Sequence, residues 1–125
     1  MSEIVSATSF DQRFSSQNIF DKDMSTFWIT TGLYPQEIII DLKAPHNLNE
    51  LKTKSMRIKN LTVEACSDSS GSEFFKVGHR EFDSNSDSMQ SEKVSLTGAN
   101  GVVMLKLILE DGYDEFASLH YVDII

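Results

Sequence analysis

The sequence predicts an all-β chain folded as an antiparallel sandwich, and three observations support this prediction. Apolar residues alternate with polar ones at a period of two along most of the chain, and a helical period is nearly absent. The alternating runs are short. Turn-forming residues separate them, as at residues 67–72, 83–91 and 98–101. Short strands at such intervals, without helices between them, are typical of a sandwich or barrel, and we expect a sandwich.

The individual strands follow from where the alternation starts and stops. The strongest covers residues 102–109, which are apolar on both sides except at Lys106, so we expect a central strand covered on both faces, with Val103 and Leu105 on the same side. The apolar positions change parity near Lys59 and Asn60, which requires a bulge, a bend or two separate strands. The remaining predicted strands are residues 4–9, 36–42, 56–58, 61–65, 74–82, 94–96 and 116–125.

Length and composition predict one domain over residues 1–125. Of these 125 residues, 40% are hydrophobic, which is enough for one core. A net charge of −8 disfavours nucleic acid and anionic membranes as partners. Cys66, the only cysteine, excludes an intramolecular disulfide, and we interpret it as a half-buried packing residue. Without a signal peptide or an apolar run of about 18 residues, we expect no membrane insertion and a reducing compartment.

The segment that carries chemistry is residues 18–28, Asn-Ile-Phe-Asp-Lys-Asp-Met-Ser-Thr-Phe-Trp. Asp21, Asp23 and Thr26 place two carboxylates and a hydroxyl in one short loop, and calcium takes about six to eight oxygen ligands of this kind. An EF-hand is excluded, because Thr26 stands where glycine is needed and Gly32 where a bidentate glutamate is needed. The alternative is an aspartate-capped turn without metal.

This string, placed after a first strand, resembles the loop of the discoidin or galactose-binding-like family. The resemblance implies a jelly roll of about nine strands whose loop binds a structural calcium ion. Carried over residue by residue, it implies Asp21, Asp23 and Thr26 as ligands, with main-chain help around Asn18 and Phe20.

The last strand departs from this pattern. Many relatives place a glutamate ligand there, whereas this chain has His120 followed by Tyr121. We therefore expect a main-chain carbonyl of Leu119 or His120 to complete the site.

Two further stretches, residues 27–40 and 113–120, resemble the family of small galactose-binding-like subunits of intraflagellar transport complex B, which is also classified with the small heat-shock proteins. Residues 43–101 match this family only in pattern. The resemblance implies an adaptor without enzymatic activity that forms a heterodimer with a Rab-like small GTPase and works beside other complex B subunits. It also implies a location in the cytoplasm and at the cilium or flagellum and its basal body.

A carbohydrate-binding module of the same fold is the alternative function. Aromatic and polar side chains that sugars need are present, but they are scattered along the sequence as Tyr34, His46, Arg57 and His79. Of the three histidines, the third being His120, none lies in a catalytic motif, so we expect no enzyme.

Aromatic residues are expected to divide between the core and a partner surface. We interpret Trp28 as a core anchor beneath the candidate metal loop. Any phenylalanines left exposed together would form a natural patch for the GTPase. The candidates are Phe27, Phe74, Phe75, Phe82 and Phe116.

Overall fold

The computed structural model describes residues 3–7, 28–29, 34–67, 73–82, 89–113 and 117–125, the first two ranges by their backbone alone. Within these ranges the chain forms nine β-strands. None of the described residues belongs to a helix long and apolar enough to cross a membrane. The strands are β1 Glu3–Ala7, β2 Trp28–Ile29, β3 Gln36–His46, β4 Glu50–Met56, β5 Ile58–Cys66, β6 Phe75–Glu81, β7 Gln90–Ser95, β8 Val102–Gly112 and β9 Ser118–Ile124.

The strands form two sheets in which every described pairing is antiparallel. The five-stranded sheet has the order β1-β3-β8-β5-β6, and the four-stranded sheet has the order β2-β9-β4-β7. Their inward apolar residues share one core, which confirms the predicted all-β antiparallel sandwich. Fully buried members include Ile38, Ile40, Leu51, Leu61, Leu105, Leu107, Leu109 and Leu119.

Strand β8 lies at the centre of the five-stranded sheet, as predicted. Leu105 and Leu107 are fully buried in the core, and Ile108 on the opposite face is 9% exposed. The side predicted for Val103 is wrong: it is half-buried, while Val102 is fully buried. The pairing of β8 with β3 becomes irregular at this end, so the simple alternation does not extend to the start of the strand.

The change of apolar parity near Lys59 lies inside β5, just after the point where the chain passes from one sheet to the other. Strand β4 lies in the four-stranded sheet and β5 in the five-stranded sheet, with Arg57 between them at a φ of 65°. This left-handed conformation turns the chain sharply from one sheet into the other. Register shifts of β5 against β8 on both sides of Asn60 form a bulge, and this bulge changes the apolar parity between Ile58 and Leu61.

A buried glutamine secures this corner. The Oε1 atom of Gln90 accepts hydrogen bonds from the Ser55 hydroxyl at 2.9 Å and from the Ile58 N–H at 3.1 Å. Its Nε2 atom donates to the Ile58 carbonyl at 2.8 Å. One side chain of β7 therefore satisfies both main-chain groups of the first residue of β5, which would otherwise be buried without these partners.

Two positions show how tightly the sandwich is packed. Cys66 is fully buried rather than half-buried as predicted, because β5 is an inner strand flanked by β6 and β8. Gly78 in β6 faces β7 of the other sheet, and an added Cβ would lie 2.8 Å from the Ser95 carbonyl oxygen. Glycine permits this close approach of the two sheet edges.

Candidate functional site

The calcium prediction falls mainly on residues that the structure does not describe. The predicted ligands outside the described residues are Asn18, Phe20, Asp21, Asp23 and Thr26. The site therefore stays a prediction, and its donor set of carboxylates, a hydroxyl and main-chain carbonyls has the chemistry that calcium prefers. The structure describes the other two predicted ligands, Leu119 and His120, both in β9.

Strand β9 pairs with the short strand that follows the candidate loop in sequence. The Cα atom of Trp28 lies opposite that of Leu119, and Ile29 lies opposite Ser118. Leu119 itself is fully buried in the core, so its side chain packs between the sheets and only its main chain is available for a ligand. The role predicted for the Trp28 side chain lies outside what the structure describes.

His120 is buried, with 5% of its surface exposed, and lies at a bulge. Leu119 pairs with Ser55 and Tyr121 pairs with Lys54, so His120 is the extra residue between these two pairs. Its Nε2 atom lies 2.9 Å from the Ser118 hydroxyl. Because the ring has this partner and calcium prefers oxygen, the main-chain carbonyl is the group of His120 that suits the predicted site.

Side chains that commonly bind metals are not clustered in the described part of the chain. Among those residues, no three histidine, cysteine, aspartate or glutamate side chains lie close enough together to hold an ion.

The residues considered for a sugar site do not form one cluster. Tyr34 precedes β3 and His46 is its last residue, so almost the full length of this strand separates them. His79 lies opposite Thr62 on the outer side of the five-stranded sheet. Arg57 lies at the corner between β4 and β5. Tyr34 and Arg57 both approach Gly112, but the two histidines lie elsewhere.

The described phenylalanines divide between core and surface. Phe82 is fully buried, whereas Phe75 is 42% exposed. Phe74 is half-buried, and the Lys106 ammonium lies 4.3 Å from its ring centroid, in a cation–π contact. Phe27 and Phe116 lie outside the described residues.

Sequence reasoning did not foresee a depression of about 270 Å³ on the outer face of the four-stranded sheet. We name it the lysine face. The sequence signal for this face is lysine at alternate positions of β4. It was missed because only the last residue of β4, Met56, was predicted to lie in a strand. Its lining includes Lys52, Lys54, Ser91, Lys93, Tyr121 and Asp123.

The strand order and the comparison with solved structures define the class of fold. CpGH89CBM32-5 from Clostridium perfringens, in complex with GalNAc-beta-1,3-galactose, superposes with a TM-score of 0.83 at 20% identity, covering 99% of this chain and 94% of that one. The family 32 CBM from C. perfringens NanJ, in complex with galactose, gives 0.80 at 16% identity, covering 98% and 92%. The chain is therefore a galactose-binding-like β-sandwich, or jelly roll.

The curated relatives with similar sequences all carry one protein name. The intraflagellar transport protein 25 of Chlamydomonas reinhardtii is 32% identical over 124 residues, which cover 98% of this chain and 64% of the relative. The Homo sapiens homologue is 29% identical over 121 residues, which cover 97% and 83%. A third relative, from Mus musculus, carries the same name. No family model matches the chain. The chain is therefore similar to intraflagellar transport protein 25 over nearly its whole length, and it spans less than two thirds of the length of the algal relative.

Proposed function

We propose that this chain is a non-enzymatic adaptor of intraflagellar transport that forms a heterodimer with a Rab-like small GTPase in complex B. The observation that carries the proposal is the similarity to intraflagellar transport protein 25 over nearly the whole chain. His120 has the Ser118 hydroxyl within hydrogen-bond reach, but both residues are buried, with 5% and 8% of their surface exposed, so a substrate has no access to this pair. This burial supports an adaptor rather than an enzyme. The three histidines also lie apart from one another. His46 ends β3, His79 lies in β6 and His120 in β9.

The outer face of the five-stranded sheet suits such a partner. Ile39 and Met104 are half-buried there, and Ile108 lies on the same face, opposite Glu37 of β3. Lys106 and Glu64 form an ion pair of 3.9 Å on the same face. Lys106 lies directly opposite Ile39, so apolar and charged residues are mixed on this face, and the whole area of a non-obligate protein interface is mixed in the same way.

Co-expression of the chain with the Rab-like GTPase tests the adaptor proposal. We expect the two proteins to elute together in gel filtration. Replacing Ile39 by Glu should weaken the complex at least about tenfold, because it removes apolar contact area and adds a negative charge to the proposed contact face. Ser95→Glu, which introduces the same negative charge at an exposed position of β7 in the other sheet, is the matched control and should leave the complex unchanged. Separate elution of the wild-type proteins would contradict the proposal.

We also propose that calcium links the loop around Asp21 to the main chain of β9. Thr26 precedes Trp28 by two residues, a reach of about 7 Å along the backbone. Since Trp28 lies opposite Leu119, the loop ends within reach of the closing strand. The ion would then act as a structural link at this end of the sandwich rather than as a catalyst.

Thermal unfolding with calcium and with a chelator tests the ion. We expect the wild-type chain to melt at a higher temperature in calcium. At a free calcium concentration one hundred times the Kd, the free energy of unfolding should rise by about 2.7 kcal/mol. Asp21→Ala should lose this increment and should melt like the wild type in chelator. Glu81→Ala, which removes an exposed carboxylate from β6, is the control and should keep the increment. Equal wild-type melting temperatures with and without calcium would contradict a structural ion.

Carbohydrate binding is the second candidate, supported by solved structures of the same fold whose names include GalNAc-beta-1,3-galactose and galactose. The scattered positions of Tyr34, His46 and His79 weigh against a sugar site built from those residues. A glycan array separates the two functions: a lectin would bind sugars without the GTPase, whereas an adaptor would bind the GTPase and no sugar.

A further inference from the structure

On the lysine face, two lysines occupy directly opposite positions of neighbouring strands. Lys52 of β4 lies directly opposite Lys93 of β7, and like charges at directly opposite positions destabilise a sheet. Lys54 lies on the same face, where its ammonium donates to the Ser91 hydroxyl at 2.6 Å. Three lysines thus gather on the outer side of one sheet.

The strand geometry explains how they come together. Because Leu51, Thr53 and Ser55 point into the core, Lys52 and Lys54 must point outward, about 7 Å apart along the strand. The antiparallel register then brings in Lys93 from the neighbouring strand, about 5 Å away across the sheet.

Two carboxylates compensate these charges only in part. Asp123 of β9 lies opposite Lys52 on the other side of β4. The Lys93 ammonium is 4.0 Å from Glu50, but the Lys93 side chain is 66% exposed, so this pair contributes little. Glu92 also lines the depression, but its carboxylate lies 3.5 Å from the Arg80 guanidinium, which balances its charge. The remaining three lysines and two carboxylates leave the face with a small positive charge, while the whole chain carries −8.

We propose that the lysine face is a docking surface for an extended acidic segment of a partner protein, which goes beyond the proposed heterodimer. Alternate carboxylates of an extended peptide repeat about every 7 Å, the same spacing as Lys52 and Lys54, and Lys93 takes a third charge. The half-buried ring of Tyr121, opposite Lys54, adds apolar contact area. A membrane or nucleic acid would extend past this face onto the negative remainder of the chain and be repelled.

Fluorescence anisotropy with a labelled peptide of six Glu-Ser repeats tests this docking surface. We expect the wild-type chain to bind it at low salt, to release it at about 0.5 M salt, and not to bind the matching Gln-Ser peptide. The variant Lys52→Glu/Lys93→Glu should bind at least about tenfold more weakly. The control Lys43→Glu/Lys76→Glu makes the same change in net charge at exposed positions of the other sheet, and should bind within about twofold of the wild type.

A second variant separates lost binding from lost folding. Lys93→Thr removes the opposed charge and introduces a residue favoured in strands, so we expect a melting temperature equal to or above that of the wild type together with weaker peptide binding. An equal loss in the control variant would mean that only net charge matters and would overturn the proposal. So would tighter binding to vesicles rich in phosphatidylserine, or occupation of the face by a second copy of the chain in sedimentation.

Discussion

The two sheets of this sandwich share one core but bury different chemistry. The inner face of the five-stranded sheet is built mainly from aliphatic side chains, with Leu107 of the central strand paired between Ile38 and Val63. The inner face of the four-stranded sheet mixes aliphatic residues with Ser55 and Gln90, both 2% exposed or less. Burial of apolar surface stabilises a fold without fixing the orientation of the buried groups, whereas a hydrogen bond requires a defined distance and angle between donor and acceptor. We therefore expect the five-stranded sheet to supply more of the stability, and the hydrogen bonds of the four-stranded sheet to fix where the chain changes sheets.

Leu107→Ala is the largest expected effect and tests the apolar side of this comparison. Leu107 is fully buried at the centre of the sandwich, so the substitution leaves a cavity and should cost about 2–5 kcal/mol in urea denaturation. Lys106→Ala, next to it but on the outer face, should cost less than about 1 kcal/mol. Similar losses for the two variants would show that β8 does not carry the core.

Gln90→Met tests the polar side. The substitution preserves most of the side-chain volume but removes the hydrogen bonds to the Ile58 N–H and carbonyl, so we expect a loss of about 2–3 kcal/mol in thermal unfolding. Ser91→Ala, the exposed neighbour in β7, should change stability by less than about 0.5 kcal/mol. A neutral Gln90→Met would mean that the corner at Arg57 forms without these bonds.

Gly78→Ala probes the place where the edges of the two sheets meet, and its effect should be the smallest of the three. The new Cβ would meet the Ser95 carbonyl oxygen at 2.8 Å and the Leu96 and Val94 side chains at 3.1 Å. Separating β6 from β7 enough to fit it should cost about 1–2 kcal/mol, measured by urea denaturation. The exposed neighbour His79→Ala is the control. No change in Gly78→Ala would show that this edge is loosely packed.

Much of the five-stranded sheet was predictable because its alternation is apolar and uninterrupted. Strand β3 and the central position of β8 follow directly from the sequence. Strand β4 was recognised only at its end, because Thr53 and Ser55 occupy inward positions and erase the apolar signal. For the candidate site, sequence named Leu119 and His120 in the closing strand, but it gave no sign that His120 lies at a bulge.

The sequence by itself determined the all-β class, the strands with continuous apolar alternation and the presence of an oxygen-rich segment at Asp21, since these depend on residues that are close together in the chain. Only the tertiary structure decided that Arg57 separates the two sheets, that Gln90 supports the corner at Ile58, and that Lys52 and Lys93 share one face. Each of the last two pairings joins residues more than thirty positions apart, and such register is set by sheet pairing across the whole domain rather than by local periodicity.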